Sequence, residues 1–593
     1  MTAFLYLLAI LFAAYGTGSL LLRLFVKSFN SRLEEFVFSS ALGLGLLGYS
    51  VYIIGILGLL YLKCVLVLLI IFAFLAIGPF IALLCSIDLR GLLRKVIAFG
   101  FFEKFLLAAF VSIFIICIFG AAAPPTGNDA LSYHLSHPKI FVQNHKIGHI
   151  PFTRESLWPY LTEMFFMIGL ILKSSALAKM FHLLFGMLTA LAIFSFTAKF
   201  FSTKKALLAS VLFYSAPGIF MQSTYAYVDL SMCFYSFVAF YSLILWVKNK
   251  SLKWLILSGV FTGLVLSIKI LGALSLFVTL MFICYVFWKE KMPAAKAASC
   301  LGAFVLSVFL VSCAWYIRSF AVLGNPVYPF LHNIFQSGWS TEAGSYISVA
   351  SRGIFEFLRL PWDLVMNMEQ FGGEQIGVIF LAFLPLLFFS KVWRGVTRYI
   401  SIFFISYTIL WYCVTPNIRF AFINFAMIFI LISAGFYEVL KNRNLYILKA
   451  LLSLCILFNF SLCFYYNRDA IKFGIGSMNK DEYLMKHERE YPMAKFVNEN
   501  LPADSIIIMA QEHRGFYFNR KTIDYWILEK VSDEGILDYV AGLRKKGIPV
   551  YLLTVSDNQD NDIALLLKRR KPVYSISRDV KEGIIEEYRL YKL

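Results

Sequence analysis

The sequence predicts an all-α polytopic membrane protein of about 14 transmembrane helices, followed by a soluble α/β domain. Three observations predict it. The 593 residues are 60% hydrophobic and 15% charged, with a mean hydropathy of +0.74, whereas soluble domains are about a quarter charged. The apolar residues run in blocks of about 20, the length of helix that crosses a hydrocarbon core. Such unbroken runs exclude a transmembrane β-barrel, whose strands are ~10 alternating residues. From about Tyr466 the composition turns mixed and charged, and it stays so to Leu593.

Taken in order, the spans start near residues 2, 36, 62, 103, 176, 206, 229, 253, 270, 297, 375, 398, 420 and 446. The first, from Thr2, lacks a basic leader and a small-residue cleavage site, so it reads as a span and not a signal peptide. The net charge of +19 is placed by topology and not by nucleic acid. Alternate connections are basic: Arg23/Lys27/Arg32, Arg90/Arg94/Lys95/Lys104, Lys199/Lys204/Lys205, Lys248/Lys250/Lys253, Lys289/Lys291/Lys296, Lys391/Arg394/Arg398 and Lys441/Arg443/Lys449. The positive-inside rule makes these connections cytoplasmic. Both chain ends and the two long loops, 124–175 and 318–374, then lie outside. The ten cysteines fall in or beside apolar spans with no CxxC pair, so they read as packing residues.

In the tail, Glu488–Asn500 reads as a helix stopped by Pro502. Ser505–Ala510 reads as a buried strand, Ile536–Lys546 as an amphipathic helix, and Val550–Thr554, Val573–Ile576 and Glu586–Tyr591 as further strands. The stretch QEHRGFYFNRK suits either a saccharide contact or a solvated strand and turn. Lys568–Lys571 (KRRK) reads as a solvated face.

Polar residues at membrane depth are costly unless solvated, paired or used, and four places stand out. In the first loop, Pro124-Pro125 ends a span and Asp129 follows at the membrane surface, with Tyr133, His134 and His137 on the segment it opens. Arg154-Glu155 come later. Asp129 is either a helix cap or a reactive acid, and His134-x2-His137 with His145-x3-His149 has spacing that would suit a metal. The second place is Asp229 at the start of a span, where the helix dipole also favours a carboxylate. Lys269, between two apolar stretches, either turns a hairpin or points into a cavity. Arg419 enters a span at the end the dipole disfavours for a cation, which calls for an anionic partner. The loop from Tyr316 to Glu374 adds Arg318, a turn at Gly324-Asn325-Pro326 and an aromatic ledge at Tyr328-Pro329-Phe330. Acids and cations gathered beside the membrane suit a lipid phosphate and a reacting hydroxyl.

Six motifs in order resemble the GT-C superfamily of lipid-carrier-dependent glycosyltransferases, in particular the bacterial branch around aminoarabinose transferases and protein O-mannosyltransferases. They are PPTGNDALSYHL, SLWPYLTEMFF, AYVDLSMCFY, GVFTGLVLSIKILGA, IRSFAVLGNPVYPF and PNIRFAFINFAMIFIL, spanning roughly 100–440. The resemblance implies a GT-C-like core at 101–465, extra helices at 1–100 and an extracytoplasmic α/β domain at 466–593. It also implies that Trp158–Leu172 lies along the membrane surface. The implied reaction is an inverting sugar transfer from a polyprenyl-phosphate carrier on the outer face of a cell membrane, most naturally a bacterial plasma membrane. Asp129 matches the acid used as general base, Asp229 a second acid, and Lys269 and Arg419 the positions that hold the carrier phosphate. Tyr133, His134, Glu155, Arg318, Asn325 and Tyr328 are the further substrate-binding candidates. Asn128-Asp129-Ala130 stands where many relatives pair two acids, so metal-independent chemistry is expected, with no cofactor, while a divalent metal stays open. The expected partners are the lipid-linked donor, membrane lipids and an acceptor that is lipid, glycan or protein, with no nucleic acid. The alternative is a transporter, flippase or ligase of lipid-linked saccharides.

Overall fold

The computed structural model describes residues 2–26, 29–151, 153, 155–335, 353–391, 393–442, 446–510, 512–525, 535–555, 563, 567, 570–581 and 584–593. Arg154 and Lys568 lie outside the described residues, as do parts of the loop 318–374. The architecture is a helical membrane bundle with a small sheet domain near the C-terminus. Among the described residues, 11 helices are long and apolar enough to cross a membrane. The expected starts at 206 and 253 fall instead on the shorter helices Thr203–Ser215 and Leu252–Ile268, and the start at 375 lies just before the shorter helix Val378–Phe389. Local chemistry shortens two of them. Pro217 restarts the chain as a separate turn, and Pro385 lies where the third tightens into a 3₁₀ segment, because proline removes a donor and clashes with the preceding turn.

The bundle has two chemically distinct ends. At one, buried or half-buried acids pair with lysines of the basic connections: Glu34 with Lys199 at 2.7 Å, Glu103 with Lys204 at 3.6 Å, and Glu438 with Lys205 at 3.1 Å and Lys391 at 3.5 Å. The opposite end gathers the connection after Phe101–Ala122, the start of Asp229–Asn249, the end of Leu252–Ile268 and the start of Ile418–Lys441. The first two helices, Thr2–Phe25 and Arg32–Ile56, meet backbone to backbone. A Cβ on Gly18 would overlap the Ser39 carbonyl and one on Gly43 the Ala14 carbonyl, the close approach small residues allow in membranes.

Leu161–Ile171 is an 11-residue helix, too short to cross. Ten of its eleven residues are buried, among them Met164, Phe165, Phe166 and Met167. It is tucked beneath the first loop as a packed floor. The last membrane helix, Tyr446–Gly474, runs past the composition change at Tyr466.

The tail opens with Lys480–His487, started by a reciprocal cap between Asn479 and Glu482, and Tyr491–Asn500. Five strands follow: β1 Ile506–Met509, β2 Lys521–Asp524, β3 Val550–Val555, β4 Tyr574–Lys581 and β5 Ile584–Lys592. Their order is β2-β1-β3-β5-β4, with β1 parallel to β2 and β3, and β5 antiparallel to β3 and β4. Ile506–Met509 is buried along its whole length, as a central parallel strand covered on both faces requires.

Candidate active site

Four of the residues singled out in the sequence meet at one end of the bundle. Arg419 Nη1 lies 2.8 Å from Asp129 Oδ2 and 3.9 Å from Asp229 Oδ2, and Lys269 Nζ lies 3.7 Å from Asp229 Oδ1. Asp129 and Arg419 are 290 positions apart in the chain. The Asp229 carboxylate is fully buried with no hydrogen bond to either oxygen. A buried anion is tolerated only with compensating charge, and here two cations supply it. Lys269 lies 4.5 Å from the centre of the Phe420 ring and Arg419 5.1 Å from that of Tyr227, so aromatic faces hold both cations in place.

Each side chain is placed by its local backbone. Asp129 sits at the cap position of the wide π-type turn Ala130–His134, closed by Leu135 N–H donating to Ala130 O at 2.9 Å, yet its side chain makes no capping bond. The capping role is corrected: the carboxylate is committed to Arg419. Single π turns interrupt regular helix mostly at functional sites. Gly127, at φ +99°, brings the chain over Tyr225 and Tyr227. Lys179, wholly buried, donates to the carbonyls of Gly120 and Ala123 at 2.8 and 2.9 Å and so secures the end of the preceding helix. His182 fixes the start of Asp229–Asn249. Its Nε2 accepts from Leu230 N–H at 2.9 Å and its Nδ1 lies 2.8 Å from the Gln222 carbonyl, which sets the tautomer.

The remaining candidates divide. Tyr133 packs on His134, His137 and Trp158 beside the cluster. His134 Nδ1 is 2.6 Å from Glu163 Oε1, and its Nε2 is buried without a hydrogen bond. His137 Nδ1 is 2.8 Å from the Tyr160 hydroxyl. Burial holds both rings in the neutral form, His137 down to about 3. The two histidines thus have separate partners, and among the described residues no three metal-ligating side chains form a group. Arg318 donates through Nη2 to the carbonyls of Gly148 and Ser156, both at 2.9 Å, and braces the first loop, while its Nη1 is buried without a hydrogen bond. Asn325 builds its own turn, donating to Phe330 O and accepting from Val327 N–H, with Tyr328 buried beside it. Glu155 opens a short 3₁₀ turn and faces a cavity.

That cavity, about 800 Å³, lies between the first loop and the tail. Asp129, Tyr133 and Glu155 line it from one side, and Glu512, His513 and Phe518 from the other. Sequence reasoning missed Glu374, whose Oε1 accepts from Gln222 Nε2 at 2.6 Å and whose carboxyl is raised by burial close to Arg419. It also missed His182, Lys179 and the tail residue Arg514. A histidine and a lysine inside apolar spans were the available signal for the first two.

Residues 173–325 match the family model "Dolichyl-phosphate-mannose-protein mannosyltransferase". The fold is similar to ArnT from Cupriavidus metallidurans bound to undecaprenyl phosphate, with a TM-score of 0.56 and 13% identity over 82% of this chain and 97% of that one. It is equally similar to the apo state of the same protein, with 12% identity over the same shares. The archaeal oligosaccharyltransferase AglB from Archaeoglobus fulgidus, in complex with an inhibitory peptide and a dolichol-phosphate, gives a TM-score of 0.45 at 14% identity over 77% of this chain and 70% of that one. Among curated proteins none matches in sequence. The family match is confined to residues 173–325, and the fold over most of the chain is similar to that of ArnT.

Proposed function

We propose that this GT-C-type membrane glycosyltransferase transfers a sugar from a polyprenyl-phosphate carrier to an acceptor hydroxyl, with inversion, on the extracytoplasmic side of a cell membrane. The observation that carries the reading is the linked set Asp129–Arg419–Asp229–Lys269, two acids paired with two cations beside a polar cavity that Asp129 lines. In this reading residues 101–465 hold the donor and 466–593 help to seat the acceptor. The lysine-rich opposite end of the bundle supports the orientation, since basic connections stay cytoplasmic.

The carrier phosphate competes with Asp129 for Arg419, so its arrival frees the carboxylate. Asp129 then takes the proton of the acceptor hydroxyl as that oxygen bonds to the anomeric carbon. The bond from the anomeric carbon to the phosphate oxygen breaks on the opposite face, and the electron pair leaves with the carrier phosphate. Lys269 and Arg419 stabilise the charge that develops there, as preorganised cations do in a site shielded from water. Positioned general bases contribute about 10²- to 10⁴-fold.

The test follows release of polyprenyl phosphate from a radiolabelled polyprenyl-phosphate sugar by the purified chain in lipid nanodiscs. Asp129→Asn is expected to lower turnover by roughly 10²-fold or more while carrier binding survives. Unchanged turnover removes Asp129 from the reaction. Passage of the intact lipid between leaflets of a proteoliposome, without bond cleavage, rejects the transferase reading in favour of a flippase.

A further inference from the structure

The tail segment 512–518 hydrogen-bonds to the reactive loop. The Tyr517 hydroxyl donates to Pro125 O at 2.7 Å, and Phe516 N–H donates to Leu131 O at 3.2 Å. Lys139 Nζ donates back to the carbonyls of Phe516 at 2.8 Å and Phe518 at 2.7 Å. Between these anchors Arg514 Nε donates to Asn128 Oδ1 at 3.1 Å. The contacts bracket Asn128-Asp129 from both directions along the chain.

Arg514 is itself held rigidly. Its Nη1 donates to Glu488 Oε1 and Glu490 Oε2, each at 2.8 Å, and its Nε lies 3.4 Å from Glu512 Oε1. Glu512 Oε1 also accepts the backbone N–H groups of His513 and Arg514 at 2.9 and 3.2 Å. A guanidinium needed only to fold the tail would close on the tail's own acids. Here one edge of it leaves the domain and takes the residue next to Asp129. Glu512 belongs to both structures at once, since it braces Arg514 and lines the cavity.

We infer that Arg514 is a positioning residue for the transfer: through Asn128 it holds Asp129 in register with the cation pair, and it does so only while the C-terminal domain is seated on the loop. The inference rests on the role proposed above for Asp129. It makes the tail part of the reaction machinery and not merely a cover, because occupancy of the cavity bears on the same segment that sets the base.

The test uses the full chain in nanodiscs, with Asn128→Ala, Arg514→Met and Arg514→Lys. Asn128→Ala cuts the link and leaves the guanidinium with its acids, so it decides the matter even where Arg514→Met fails to fold. A hydrogen bond to a charged group is worth about 1.5–3 kcal/mol, so hydrogen exchange over residues 126–133 is expected to rise about tenfold or more in Asn128→Ala. Exchange in β1 and β3 stays as in the parent. Carrier-phosphate release falls about tenfold, undecaprenyl phosphate binds within about twofold, and Arg514→Lys recovers part of the rate. Unchanged loop exchange overturns the inference, as does unchanged turnover, an equal loss of undecaprenyl phosphate affinity, or a rise in exchange across the whole tail. Should the parent release no carrier phosphate from any polyprenyl-linked sugar, the transferase reading fails, and the exchange experiment still decides whether Arg514 orders the loop.

Discussion

Replacing Asp229 by Asn should tighten binding of the carrier phosphate while slowing the reaction. In the free site two acids face two cations, Asp129 and Asp229 against Lys269 and Arg419. An incoming phosphate must share those cations with carboxylates already in place. Seated between Lys269 and Arg419, it would stand on the order of 6 Å from Asp229, given the 3.7 and 3.9 Å ion pairs. At an effective dielectric of about 20, two unit charges at that distance repel by roughly 3 kcal/mol. Residual screening at the cavity mouth reduces this to about 1–3 kcal/mol, which is a gain of roughly five- to hundredfold in affinity. The assay is titration of nanodisc-embedded protein with undecaprenyl phosphate, followed by intrinsic tryptophan fluorescence, beside Asp229→Glu as a control that keeps the charge. The electrostatic account is refuted if Asp229→Asn binds the carrier phosphate more weakly than the parent. In that case the acid orients the cations and does not compete for them.

Arg318→Met should lower stability by about 3 kcal/mol, since two buried carbonyls lose a charged donor. A melt in detergent should show that drop with undecaprenyl phosphate affinity kept within about twofold, and a selective loss of affinity would return Arg318 to the phosphate site. Gly127→Ala should cost about 1–3 kcal/mol, because φ is +99° and a Cβ would stand 3.1 Å from the Tyr225 ring. Stopped-assay turnover should fall with it, and a full-rate Gly127→Ala would show that the loop tolerates displacement of Asp129. Seating of the tail should weaken as pH rises from about 5 to 7.5. Burial raises Glu490 and Glu512 to about 7, and Asp524 raises His513 despite its burial. A raised folded-state value contributes stability below the unfolded value that is lost through the folded one. Lys139, lowered by burial to about 8, acts in the opposite sense and only at the upper edge of this range. Proteolysis within 512–525 should therefore quicken from pH 6 to pH 7.5, and a flat rate would contradict the assignment.

The bundle was legible because its signals are periodic and local. Every expected span start falls on a helix except 375, which lies three residues before one, and Pro217 and Pro385 mark in plain view where two of the shorter helices break. The cluster was legible for a different reason: Asp129, Asp229, Lys269 and Arg419 are charges in apolar surroundings, where each must have a use. The backbone partners of Asn325 and Arg318 were not legible, because polar side chains that satisfy backbone carbonyls look the same in sequence as those that face a ligand. Arg514 was invisible as a partner of Asn128. In a charged tail an arginine is ordinary, and nothing local tells that its neighbours include a loop 386 positions away. The strand Lys521–Asp524 was also missed, being only four residues long with a single buried position.

The reactive pocket is stitched from segments near positions 129, 229, 269, 419 and 514. During synthesis Asp129 therefore emerges long before its counter-ion Arg419 and before Arg514. A chain cut between Lys269 and Arg419 leaves Asp129 without its nearest counter-ion and Asp229 with Lys269 alone.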